Sequence, residues 1–203
     1  MLGHFNPALV HPAWLARHEL VRDAEVAAAD ISLVRPELTI FKVGPFRFQA
    51  EPRRFHVGIV DLGQLSALRD LVLGVFSLLG ETPITQFGLN RDMHFRMPDA
   101  EAWHRVGNLL APKDKWAGLV DDPGLRSVCV QGKWGERAST RVQVTVEPST
   151  KVPSGVYVAV NEHFEIGGDD AAPAVNILRT AWTESFARAR QVAEAVVGLG
   201  LRS

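Results

Sequence analysis

The chain is poor in sulfur. Cys129 is the only cysteine among 203 residues, so no internal disulfide can form. That excludes a small secreted scaffold stapled by cystines and fits a reducing compartment. Zinc held by several thiolates is excluded for the same reason. Long apolar runs are missing too: no stretch approaches the roughly eighteen apolar residues of a membrane-spanning helix. The first residues lack the charged-then-apolar layout of a secretory signal, because Asn6, Pro7, His11 and Pro12 interrupt it. The Met-Leu start lacks the glycine that myristoylation needs. These absences predict a cytoplasmic protein without membrane association.

A cationic excess is also lacking. Formal net charge is -1, and lysine occurs only at positions 42, 113, 115, 133 and 151. A duplex nucleic-acid binder needs a clear excess of cations, so nucleic acid is not the expected partner, although a local basic patch stays open. The common catalytic motifs are absent: there is no phosphate loop, no G-x-G-x-x-G, no G-x-S-x-G and no H-E-x-x-H. His18-Glu19 begins a zincin-like string, but Arg22 stands where the second histidine belongs. No cofactor is implied.

What is present is an ordinary globular composition, 46% apolar and 22% charged, long enough to bury a full core. Ile31–Val34, Leu38–Val43, Phe46–Ala50 and Phe55–Val60 read as strands, punctuated by Pro36, Gly44-Pro45 and Glu51-Pro52. Phe46 and Phe48 alternate with Arg47 and Gln49, the signature of a half-buried strand. Asp61 caps a helix over Gly63–Leu79 with apolar residues at helical spacing. Ile84–Met97 reads as a long strand, followed by a short helix from Pro98 to Leu110 and a loop over 112–124. Leu125–Gln131, Thr140–Glu147 and Val156–Phe164 read as strands, and Ala172–Val197 as a helix of roughly 40 Å. The pattern predicts a single α+β domain over 1–203, mainly an antiparallel sheet of about seven strands with two long amphipathic helices. The order strands–helix recurs in 31–80 and 125–197. Both copies carry a Glu-Pro before a turn, so an internal duplication into βββα halves stands beside chance similarity of two hairpins.

The most suggestive chemistry lies on the Ile84–Met97 strand. Alternation puts Phe87, Leu89, Arg91, Met93, Phe95 and Met97 on one face and Asn90, Asp92, His94 and Arg96 on the other. An Asp two residues from a His suits general-base work; a solvated sheet face with cross-strand polar pairs is the plainer reading. Asn161, Glu162, His163 and Glu165 form a second polar group. With Glu147 it would meet the first across the sheet, giving Asp92, His94, Glu147 and His163 as candidates for acid–base or metal chemistry. His4, His11 and His18 fall seven apart, but Pro7 and Pro12 argue against one shared helix. Cys129, between Val128 and Val130, reads as a buried small hydrophobe.

Trp134, in Gly132-Lys133-Trp134-Gly135-Glu136, reads as a hairpin tip, either an interface anchor or a ring folded back over its own domain. Trp116, in Pro112-Lys113-Asp114-Lys115-Trp116, raises the same question. Tryptophan beside lysine also suits stacking on single-stranded bases.

The helix Leu65–Leu79 followed by Phe87-Gly88-Leu89-Asn90 resembles a sporadically distributed family of uncharacterised bacterial proteins. In that family a similar helix leads into a strand ending in a Gly-Leu-Arg-Tyr-Ile-Asn-like run. The resemblance covers roughly residues 45–97 and departs at Arg91-Asp92-Met93. It implies a bacterial source and no settled activity.

Three functions follow. The leading expectation is a binding or assembly subunit acting through protein contacts, with Trp116, Lys133 and Trp134 in the interface and a protein partner or a second copy bound. The second is a small enzyme or ligand-binding domain on the polar sheet face. The third is single-strand nucleic-acid binding, with salt-dependent affinity.

Overall fold

The computed structural model describes residues 1–134 and 140–200. Nine strands and six α-helices are found among them, two strands more than the expected seven or so, and the α+β class with antiparallel pairing holds. The chain falls into two compact units. The first comprises Met1–Phe87 with Glu165–Trp182; the second comprises Gly88–Phe164 with the chain from Thr183 onward.

In the first unit the elements are β1 (Leu2–Gly3), α1 (Pro12–Arg17), α2 (Asp23–Ala27), β2 (Asp30–Val34), β3 (Thr39–Val43), β4 (Phe46–Glu51), β5 (Arg54–Gly58), α3 (Leu65–Leu78), the first residues of β6 (Ile84–Arg96), and α5 (Ala172–Thr180). The strand order is β2-β3-β4-β5-β1-β6. The alternation in β4 buries Phe46, Phe48 and Ala50. Register places Phe48 opposite Phe41 of β3 and Val57 of β5, so one face carries a row of aromatic rings. Phe41 and Phe48 stack at 4.6 Å, and Phe55 meets Phe76 of α3 edge-on at 5.2 Å. Asp61 Oδ1 accepts the Gly63 N–H at 2.8 Å and opens a 3₁₀ turn that leads into α3. The helix then buries Leu68, Leu71, Val72, Val75 and Phe76.

Two features of this sheet were not expected. Strand β1 slots between β5 and β6, with Leu2 opposite Arg54 on one side and Gln86 on the other. Two residues carry no period to read. Glycine is required at position 3, because a Cβ there would run into the Pro83 carbonyl oxygen. Strand β2 contains a bulge: Ile31 is opposite Phe41 but Leu33 is opposite Ile40, so Ser32 is the extra residue.

The second unit holds the rest of β6, α4 (Ala100–Leu110), β7 (Val128–Gly132), β8 (Thr140–Pro148), β9 (Gly155–Glu165) and nearly all of α6 (Trp182–Leu199). The strand order is β6-β9-β8-β7. Val156, Val158 and Val160 of β9 and Val142 and Val146 of β8 form an inner face. It packs against Ala102 and Val106 of α4 and Ala189 and Ala193 of α6. Asp99 Oδ1 caps α4 by accepting the Ala102 N–H at 2.7 Å. The single helix expected over 172–197 is broken at Ala181. The Thr180 hydroxyl bonds back to the Asn176 carbonyl at 2.8 Å, a pattern that bends helices, and the boundary between the units falls two residues later.

Candidate functional site

The outer face of the second unit's sheet is polar, as alternation predicted. Leu89 and Met97 are buried on the inner face of β6, and Met93 and Phe95 pack against the same core, leaving Asn90, Asp92, His94 and Arg96 on the outer one. Two contacts fix how β6 meets β9: Asn161 Nδ2 donates to Asn90 Oδ1, and the Met97 N–H donates to the Ser154 carbonyl at 3.3 Å. This register brings Tyr157 of β9 beside Asp92 and His94.

Tyr157 is the only tyrosine in the chain and forms the centre of the cluster. Its hydroxyl donates to Asp92 Oδ1 at 2.9 Å, and its ring stacks on His94 at 4.8 Å between centroids. Glu147 lies directly opposite on β8 and accepts from the Ser127 hydroxyl at 3.0 Å. Burial, the bond to Asp92, and the charges of Asp92 and Glu147 together push the Tyr157 phenol up to about 12.

His94 is held from its other side by Ser149, Nδ1 to Oγ 2.9 Å. That same Oγ accepts the Lys151 N–H at 3.1 Å and the Val152 N–H at 2.9 Å. A hydroxyl has two lone pairs and one proton. Both lone pairs are taken, so the proton goes to His94 Nδ1, and the imidazole carries its own hydrogen on Nε2. The arrangement is a turn clamp that fixes the ring.

The four candidates do not converge. Asp92, His94 and Glu147 surround Tyr157, but His163 stands opposite Arg141, six residues from Tyr157 along β9, or roughly 20 Å. Among the described residues no group of three or more His, Cys, Asp or Glu is placed to hold a metal ion. Glu162 is also misplaced by the sequence reading: it faces inward opposite Val142, away from Asn161, His163 and Glu165.

Cys129 is exposed on the outer strand β7, not buried; it lies opposite Thr145, which shares the outer face of β8 while Val142 and Val146 face the core. Trp134 is half-buried, packs against the second unit's core, and has the Arg188 guanidinium 5.9 Å from its ring centroid. Lys133 is exposed, while Gly135 and Glu136 of the expected hairpin tip lie outside the described residues. His11 caps α1, accepting the Trp14 N–H at 3.3 Å, and His18 follows the helix against the Trp14 ring, so these histidines serve the helix ends.

Trp116 ends a 3₁₀ turn, Lys113–Trp116, and is half exposed. Leu109, Leu119 and Val120 are exposed in the same stretch, Leu119 at 75%. In the same unit a groove of about 420 Å³ is lined by Trp103, His104, Val106, Lys113, Leu125 and Val156 among others. The sequence reading singled out Trp116 but not Leu109, Leu119 or Val120, because a hydropathy reading passes over apolar residues in and beside a Lys-, Asp-, Pro- and Gly-rich loop.

A titration follows from the Tyr157 geometry. As the lone tyrosine, its ionisation is readable by tyrosinate absorbance without interference. The midpoint is expected near 12, and Asp92→Asn should bring it back toward 10. The folded value is raised, so this group's contribution to stability is complete below pH 10 and is lost as pH climbs from about 10 to about 12. A wild-type midpoint at 10 would remove Tyr157 from the cluster.

No protein-family model, no curated protein and no solved structure matches this chain.

Proposed function

We propose that the chain is a non-enzymatic binding or assembly subunit that acts through protein–protein contacts, with the surface over residues 109–120 as its contact face. The observation that carries this reading is the set Trp116, Leu119 and Val120, all large, apolar and exposed, held in one turn by the Leu119 and Val120 N–H bonds to the Trp116 carbonyl, with Leu109 exposed on the preceding helix. Scattered apolar residues are normal on a surface, but a contiguous set marks an interaction site, and tryptophan is the commonest anchor of such sites. Catalysis on the polar sheet face has less support, since Asp92 accepts from Tyr157, and His94 stacks on Tyr157 and is held by Ser149. The likeness of residues 45–97 to a bacterial family supports a bacterial source.

The test is native mass spectrometry of the protein purified from its own host, for the wild type, Trp116→Ala with Leu119→Ser, and His94→Ala. The double variant is expected to lose the bound partner, with affinity down by about thirtyfold for a truncated anchor worth about 2 kcal/mol. His94→Ala should keep it. The reading fails if the double variant keeps its complex while His94→Ala, still folded, abolishes it.

A further inference from the structure

We infer that strand β2 pairs with β2 of a second copy of the chain about a twofold axis. The inference deepens the assembly reading by naming a partner, on a surface separate from residues 109–120.

β2 is the outermost strand of the first unit and, among the described residues, pairs only with β3. Ile31 and Val34 are exposed along it, at 55% and 47%. In a regular strand residues three apart point to opposite faces. The bulge at Ser32 changes that. Ile31 is opposite Phe41 and Val34 is opposite Thr39, and Phe41 and Thr39, two apart and both buried, share the inner face. Ile31 and Val34 therefore share it too. On the outer face, Asp30 is opposite Lys42, and Arg35, one residue past Val34, exchanges both backbone bonds with Leu38.

Asp30-Ile31-Ser32-Leu33-Val34-Arg35 is thus complementary to itself when run antiparallel. Ile31 meets Val34 of the second copy on the inner face, and Asp30 meets Arg35 of the second copy on the outer face. Both contacts occur twice, as an isologous interface requires. Asp30 then sits between Lys42 and the second copy's Arg35, a favourable cross-strand ladder of charge. Among the described residues neither Asp30 nor Arg35 has an ion-pair partner within its own chain. A bulge ordinarily blunts an edge against passing strands. Here the strand that matches its spacing is one with the same irregularity, which selects a second copy over a generic peptide. The contact is short, so the dimer is expected to form with rising protein concentration.

Charge exchange tests this. In sedimentation velocity over a concentration series, wild type is expected to shift from monomer to dimer. Asp30→Arg and Arg35→Asp each place like charges opposite at both ends, and each should raise the dissociation constant at least tenfold. An equimolar mixture of the two variants restores both opposite-charge pairs and should dimerise as wild type does, a recovery that a fold defect would not give. Wild type that stays monomeric, variants that associate as well as wild type, or a mixture without recovery overturns the proposal. Trp116→Ala should leave this dimer intact. A monomeric wild type whose partner still depends on Trp116 sinks this inference alone, whereas a dimer with no Trp116-dependent partner sinks only the contact face over 109–120.

Discussion

Phe76→Ala is expected to cost the protein about 3–5 kcal/mol of stability, the range for deleting a buried phenylalanine. Phe76 is 2% exposed and meets Phe55 edge-on at 5.2 Å and Phe5 at 6.3 Å. Phe55 in turn lies 6.3 Å from Phe48, which stacks on Phe41. One ring on α3 thus closes a row of rings that crosses three strands. Its neighbours are anchored on paired strands and cannot collapse into the space left behind, which puts the cost at the upper end for a large-to-small change. Urea unfolding measures it, and amide exchange should show lost protection in β4 and β5. A loss below 1 kcal/mol would mean that the aromatic row does not organise this core.

Glu162→Met is expected to act in the opposite direction and stabilise by about 1–3 kcal/mol, the desolvation cost of an unsatisfied polar group. Glu162 is 4% exposed. It lies opposite Val142, and Val160 and Phe164 flank it on the same face. Its Oε2 has no hydrogen-bond partner among the described residues. The Thr140 hydroxyl, diagonal to it across the β8–β9 pair, and Arg91 Nε on β6 are likewise buried without hydrogen-bond partners among the described residues. Methionine matches the length of glutamate without its desolvation cost. Denaturation midpoints of the two proteins decide the matter, and a destabilised variant would sink the reading of Glu162 as an uncompensated carboxyl.

The faces of β6 were legible because alternation is a local property: five apolar residues at every second place, interrupted by Arg91, fixed which side met the core. The Asp92–His94 pair was legible for the same reason. Its partners were not. Tyr157 and Ser149 reach it only because β9 lies between β6 and β8, and strand order across a sheet leaves no mark in the spacing of residues along one strand. Val128-Cys129-Val130 failed for a related reason. An apolar run reads as buried wherever it falls, and only sheet order reveals that β7 is an edge. Glu162 was grouped with its polar neighbours in sequence, although the period that worked on β6 would have turned it inward. The bulge at Ser32 and the two residues of β1 are too short to disturb any pattern. The break at Ala181 depends on a threonine back-bond that many continuous helices tolerate.

The two compact units are interleaved along the chain: the first takes Glu165–Trp182 from beyond the strands of the second, and the second takes the helix after it. No single cut in the polypeptide releases either unit whole. During synthesis β1 leaves the ribosome before the other strands of its sheet, yet its second neighbour β6 follows some eighty residues later. The helix that completes each unit emerges later still. The first unit must therefore wait, partly assembled, for residues 165–182, and the second for the helix that follows them, and their nascent edges are bare over that interval.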